Sequence, residues 1–197
     1  MNKIEIVLVC GRRYAGKTTI ARYLENQYGY CRIRFADRLK RMLVSGLGID
    51  PRYIDGDRKE EACPELCGKT ARHGMVTLGT EWGRELIDPG IWVSALSRDL
   101  DRLIESGRRK FVIDDLRFLT EEAWANDYLR KFANVWIIKV VKEKEELTWW
   151  QKVLSWFKKE HQSEAEIKYI KEDSLILNNE SLKELYSKLD TMFGTAE

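Results

Sequence analysis

Gly11-Arg12-Arg13-Tyr14-Ala15-Gly16-Lys17-Thr18 decides how the rest of the sequence is read. The apolar run Ile4 to Cys10 precedes it, and Thr19-Ile20-Ala21-Arg22-Tyr23-Leu24 follows. The order is strand, glycine-bounded loop, helix, and the loop fits G-x-x-x-x-G-K-[ST], the phosphate-cradling P-loop. Gly11 and Gly16 permit backbone conformations that a Cβ opposes. The loop amides can then point inward at an anion, and the helix that follows adds its free N–H groups and positive dipole end. Lys17 supplies a mobile cation for β- and γ-phosphates, and Thr18 a hydroxyl for Mg²⁺. The phosphate-binding set read from this stretch is Gly11, Arg13, Ala15, Gly16, Lys17, Thr18 and Thr19.

Working outward, Ile4 to Cys10 reads as a buried strand: continuous apolar residues with one charge, Glu5. Thr18 to Tyr28 reads as a helix stopped at Gly29. Cys31 to Phe35 alternates as a strand does, and Ala36-Asp37-Arg38-Leu39-Lys40 opens a second helix through Val44. Residues 46 to 75 are the least regular part, punctuated by glycines and by Pro51 and Pro64. The charge run Asp57-Arg58-Lys59-Glu60-Glu61 has two readings: a solvated face, which the sequence favours, or part of a substrate-binding insert. Met75 to Glu85 and Ile91 to Ile104 read as helices, the second with Trp92, Ala95, Leu96, Leu100 and Leu103 inward. Lys110 to Asp114 reads as a strand, Glu121 to Phe132 as a helix capped by Thr120, and Val135 to Val141 as another strand. Ser174 to Leu177 is a last short strand, and Ser181 caps a closing helix through Met192.

Strands alternating with helices predict right-handed βαβ units and a parallel sheet. The expected fold class is α/β, a three-layer P-loop NTPase fold: a five-stranded parallel sheet flanked by helices. Ligands on such sheets bind at the carboxyl ends of strands. The P-loop, Asp37 and Asp115 all follow strand ends in the sequence.

Composition narrows the function classes. The 197 residues suffice for one domain with a sizeable core, with 44% hydrophobic and 34% charged residues. A net charge of +2 gives no global electrostatic case for nucleic acid. No apolar run approaches membrane-span length, and the N-terminus reads as a core strand rather than a signal peptide. Cys10, Cys31, Cys63 and Cys67 are too few and too unevenly placed for a disulfide scaffold, so a reducing, cytoplasmic setting fits best. Cys63, Cys67 and His73 make a weak metal site, three candidates without a fourth partner.

The segment Leu78-Gly79-Thr80-Glu81-Trp82-Gly83-Arg84, followed by Ile87-Asp88-Pro89 and Trp92-Val93, resembles the bacteriophage deoxynucleoside monophosphate kinases. So do Phe35-Ala36-Asp37 with Lys40, Val112-Ile113-Asp114-Asp115-Leu116-Arg117-Phe118, and His161-Gln162-Ser163-Glu164. The resemblance runs in the family's order across residues 4 to 181. It implies transfer of the γ-phosphoryl group of ATP to a deoxynucleoside monophosphate, with Mg²⁺, in the host cytoplasm if phage-encoded. It also implies one P-loop kinase domain over 1–197, with a substrate-binding insert at 46–90 and a lid at 142–172.

Site residues follow from the chemistry and the resemblance together. Lys17, Arg117 and Asp115 are the expected catalytic groups, and Thr18 with Asp115 the expected Mg²⁺ ligands. Asp114, the neighbour of Asp115, is expected to point the other way along its strand. Asp37, Arg38, Lys40, Arg72, Trp82, Arg84 and Trp92 are expected on the acceptor. Arg84 and Arg117 grip phosphate as guanidinium forks, or serve as ordinary ion-pair partners. Trp82 and Trp92 stack on a base or pack in the core. Asp37 orients the acceptor phosphate region or a magnesium-bound water, or it caps a helix. Lys59-Glu60 falls where the family often has a Lys-Glu pair, and Arg72 where it often has an arginine.

One feature departs from nucleotide kinases generally, whose lids carry arginines. No arginine occurs after Arg130, so Lys158 and Lys159, or a core arginine, take that role. Trp149, Trp150, Val153, Trp156 and Phe157 form a wide apolar helical face, read as docked on its own domain or as a homodimer contact rather than a membrane surface. Two other functions stay open at this point. One is a P-loop kinase of another small acceptor, such as dephospho-coenzyme A. The other is an NTP-binding switch that docks a partner.

Overall fold

The computed structural model describes residues 3–56, 58–142 and 165–194. They form two compact units: Met1–Ile33 with Gly107–Glu197, and Arg34–Ser106.

The first unit is built on a five-stranded parallel sheet. Its strands are β1 (Ile4–Cys10), β2 (Cys31–Ile33), β3 (Lys110–Leu116), β4 (Ala133–Val141) and β5 (Ser174–Leu177), in the order β2-β3-β1-β4-β5. All four pairings are parallel. Ile6 to Cys10 is fully buried, as a central strand covered on both faces must be, and this is why it reads as an unbroken apolar run. α1 (Lys17–Tyr28) packs Ile20, Ala21 and Leu24 inward and stops at Gly29, which takes a left-handed φ of 69°. α6 (Leu119–Asp127) follows β3, and α7 (Leu182–Phe193) closes the unit on Leu185 and Leu189. Ser181 caps α7, and the Glu184 carboxylate reaches back to the Ser181 N–H at 2.9 Å.

Several bounds differ from the sequence reading: β3 runs to Leu116 rather than Asp114, β4 begins at Ala133 rather than Val135, and α6 ends at Asp127 rather than Phe132. β2 ends at Ile33 rather than Phe35. α6 begins at Leu119 and is not capped by Thr120. The Glu121 carboxylate takes the cap's place, accepting from the N–H groups of Arg117 at 2.8 Å and Phe118 at 3.1 Å.

The second unit is helical. α2 (Asp37–Arg41) widens into a π turn over Met42–Gly46. α3 (Pro51–Ile54) starts at a proline, with the Asp50 side chain accepting from the Arg52 N–H. α4 (Ala71–Val76) is capped by Thr70 and runs on as a π-helix through Thr77–Ile87. α5 (Ile91–Glu105) buries Trp92, Ala95, Leu96 and Leu100. Among the described residues no helix is long and apolar enough to cross a membrane.

Candidate active site

The phosphate loop takes the shape its glycines allow. Gly11 has φ of 147° and Gly16 φ of 108°, both in the region that disfavours a Cβ. Space adds to torsion most firmly at Gly11, where a Cβ would meet backbone; at Gly16 it would meet the end of a side chain. A Cβ on Gly11 would stand 2.4 Å from the Val140 carbonyl oxygen, and one on Gly16 would stand 2.4 Å from the Asn178 amide nitrogen. The loop is therefore pinned between the ends of β4 and β5. Asn178 also donates to the Ala15 carbonyl at 2.8 Å. Nothing in the motif signals Asn178, and the sequence reading missed it.

Lys17 is buried, and its ammonium donates to the carbonyls of Gly11 at 2.7 Å and Arg12 at 2.8 Å. The cation is thus held over the loop it is expected to serve. Arg13 lies with its guanidinium 4.5 Å from the Tyr14 ring centre, and Tyr14 itself is exposed with a left-handed φ of 65°.

The carboxylate facing the loop is a correction to the sequence reading. Thr18 Oγ1 donates to Asp114 Oδ2 at 3.0 Å, so Asp114, not Asp115, stands beside the P-loop threonine. The physical reason is ordinary strand alternation: Val112, two residues earlier on β3, packs with Ile20, Ala21 and Leu24 of α1, so Asp114 turns to the same face. The choice of Asp115 rested on its place at the strand end, and β3 runs on past it to Leu116. Asp114 is buried and also accepts from Arg32, whose Nε lies 3.0 Å from Oδ1. Arg32 too was missed from sequence. The hydroxyl of Thr18 and the carboxylate of Asp114 are hard oxygen donors, the kind Mg²⁺ takes. Arg117 follows β3, half-buried, its N–H bound by Glu121.

In the second unit, Arg34, Asp37, Lys40, Ser45, Pro51 and Asp55 are among the residues lining a cavity of about 330 Å³. Asp37 accepts from the backbone N–H of Arg34 at 2.9 Å and from its Nε at 2.7 Å, so it aims Arg34. Asp55 accepts from Lys40 at 2.7 Å and, more loosely, from both Arg34 Nη atoms at 3.4 Å. Lys59 Nζ stands 3.8 Å from the same carboxylate. Burial works to raise the Asp55 carboxyl, but the Lys40 hydrogen bond and the charges of Lys40, Arg34 and Lys59 hold it below the usual range. The Lys59 ammonium is pushed down by burial first; Asp55 opposes this, while Lys40, Arg72 and Arg34 add like-charge repulsion.

Of the other expected acceptor residues, Arg72 pairs with Glu60 at 2.8 Å. The fork of Arg38 is taken by Asp99 of α5, with Nε 2.7 Å from Oδ2 and Nη2 on the other oxygen. Its charge ties α2 to α5. Trp92 takes the core alternative of its two readings. It is 3% exposed, its indole N–H donates to the Gly79 carbonyl at 2.7 Å, and Gly83 leaves room for its ring. It packs the unit's interior and has no face for a base. Trp82, 39% exposed, keeps one. Arg84 Nη1 donates to the same Gly79 carbonyl at 2.9 Å. Cys63 donates to Glu65 and Cys67 is exposed, and among the described residues no three His, Cys, Asp or Glu side chains gather as a metal site. The lid lysines Lys158 and Lys159, the aromatic face 149–157 and His161 to Glu164 lie outside the described residues.

Comparison with known proteins places these arrangements. The sequence profile of the family described as "Deoxynucleotide monophosphate kinase" matches residues 67–189. A protein of Acanthamoeba polyphaga mimivirus, provisionally named a deoxynucleotide monophosphate kinase, is 25% identical over 195 residues, covering 93% of each chain. Among solved structures, a provisionally named kinase from Chloroflexus aurantiacus aligns over 100% of both chains with a TM-score of 0.51 and 14% identity. A dephospho-CoA kinase from Campylobacter jejuni aligns over 94% of this chain and 95% of its own, with a TM-score of 0.50 and 14% identity. At such identities the structural likeness speaks for the P-loop kinase fold alone.

Proposed function

The chain belongs to the deoxynucleotide monophosphate kinase family, and from that premise we propose that it moves the γ-phosphoryl group of ATP onto a deoxynucleoside monophosphate, yielding the diphosphate and ADP. The observation that carries this reading is the loop held by Gly11 and Gly16 around Lys17, with Thr18 on Asp114.

In this reading the loop amides from Arg13 to Thr19 bind the donor phosphates, and the start of α1 adds its dipole. Lys17 exchanges the carbonyls of Gly11 and Arg12 for phosphate oxygens. Thr18 and Asp114 would hold Mg²⁺, which when bound neutralises charge on the β- and γ-phosphates. Arg32 keeps the Asp114 carboxylate turned toward Thr18. Arg117 supplies a fork to the transferring group. Arg34, Lys40, Lys59 and Arg72 form the cationic set for the acceptor, with Trp82 as its base-stacking face. Little covalent chemistry falls to the protein, since phosphoryl transfer depends on positioning and charge stabilisation.

The test is a coupled ADP-release assay against the four deoxynucleoside and four ribonucleoside monophosphates. ADP formed only with an acceptor, and preferentially a deoxynucleotide, supports the proposal. Slow acceptor-independent hydrolysis would point to a switch protein instead, and turnover with dephospho-coenzyme A alone to the other small-acceptor kinase.

A further inference from the structure

Asp55 sits where three cations converge, and they hold it unequally. Lys40 donates at 2.7 Å, at full hydrogen-bond strength. Both Nη atoms of Arg34 reach it only at 3.4 Å, beyond the usual 2.7–3.2 Å range, and Lys59 stops at 3.8 Å. Arg34 is already aimed by Asp37, so its fork does not need Asp55 for orientation. Lys40 is mostly covered, its side chain 16% exposed, while Asp55 is 44% exposed and follows the short helix α3 at the cavity's edge. A carboxylate brings one charge and two oxygens to a cluster of three cations. A phosphomonoester dianion brings two charges and three terminal oxygens, enough to meet Lys40, Arg34 and Lys59 together at normal distances.

We propose that Asp55 is a resident counter-anion, occupying the cation cluster of Arg34, Lys40 and Lys59 until the phosphate of the acceptor displaces it. This rests on the reading that the second unit receives the acceptor. In the empty protein Asp55 relieves repulsion among the three cations. On binding, the dianion replaces it, and an anion of lower charge does not. The residue therefore tunes selectivity toward phosphomonoesters while lowering affinity for them.

The experiment titrates inorganic phosphate into the full chain by calorimetry at pH 8 and fixed ionic strength, for wild type, Asp55→Asn and Lys40→Gln. Asp55→Asn should bind phosphate about fivefold more tightly, because the competing charge is gone. Lys40→Gln should lose most of the binding. Phosphate should also raise the melting temperature of Asp55→Asn more than that of wild type. Asp55→Ser repeats the test should the asparagine fold poorly. Phosphate binding that is unchanged or weaker in both Asp55 variants would overturn the proposal and make Asp55 a support for Lys40. No turnover enters these measurements. Inactivity toward all eight monophosphates would thus sink the kinase substrate assignment while leaving a displaced Asp55 visible as tighter phosphate binding.

Discussion

The side-chain amide of Asn178 donates to the Ala15 carbonyl at 2.8 Å, so the residue just past β5 holds the middle of the phosphate loop. The same amide nitrogen fills the space that any Cβ at Gly16 would need. The restriction on Gly16 is chiefly its φ of 108°, since a Cβ there would meet only the movable end of the Asn178 side chain. A loop whose N–H groups must face an anion leaves its carbonyls turned outward, and these need partners. Asn178 provides one.

Asn178→Ala should therefore loosen the loop without touching nucleotide directly. The lost hydrogen bond costs about 1 kcal/mol of stability. Carried into binding, the same loss is about fivefold in KM for ATP. The acceptor's KM should stay put. Titrating the two nucleotides separately checks this, and equal changes in both would show a general loss of fold instead.

Lys17 is buried, and its ammonium donates to two carbonyls of the phosphate loop. Lys17→Met keeps the aliphatic stem and removes the charge. We expect kcat to fall by about 10²- to 10³-fold, the usual effect of deleting one charge-stabilising donor, while the melting temperature moves little. Near-normal turnover in the purified variant would end the P-loop assignment.

Asp114 and Asp115 can be separated by the same kind of test. Asp114→Asn keeps the shape but removes the charge that faces both Thr18 and Arg32. Arg32 is then left beside a neutral group, its side chain only 17% exposed. Activity should fall steeply, and more free Mg²⁺ should be needed to reach half-maximal rate. Asp115→Asn should keep a Mg²⁺ requirement close to wild type. The reverse ranking would return the metal-binding role to Asp115.

That pair also marks where sequence reading reached its limit. The sheet was legible because buried parallel strands are continuous apolar runs, as Ile6 to Cys10 shows. The P-loop was legible because its residue spacing and the left-handed torsions of Gly11 and Gly16 are local properties. The choice between Asp114 and Asp115 was not, because it depends on which face of β3 is covered by α1, and that is a non-local fact. Arg32 and Asn178 were invisible for the same reason: their partners lie 82 and 163 positions away in the chain. Trp92 shows a further limit. Helical periodicity placed it inward, and the choice between core and base stacking turned on its indole N–H finding the Gly79 carbonyl. That contact depends on the π-helical path of Thr77–Ile87, for which the sequence carries no simple signal.

Asp99 gives a prediction about acid. Its carboxyl is held below the ordinary range by the Arg38 hydrogen bonds first, with burial opposing and the charges of Arg38, Arg41 and Arg102 adding to the effect. A depressed folded-state pKa means that the folded protein holds the proton less readily than the unfolded chain does. The stabilisation is thus complete above the unfolded value of about 3.9 and drains away as pH falls through the lower folded value. Asp99→Asn removes this pH-dependent part and leaves Arg38, Arg41 and Arg102 facing a neutral amide. Urea midpoints of the two proteins should therefore differ most at pH 6, wild type being the more stable, and should converge toward pH 3. Comparing the two cancels the many carboxylates they share. Curves that stay parallel from pH 6 to pH 3 would mean that Arg38 and Asp99 hold α2 to α5 without any net electrostatic stabilisation, and that packing between the helices alone keeps them together.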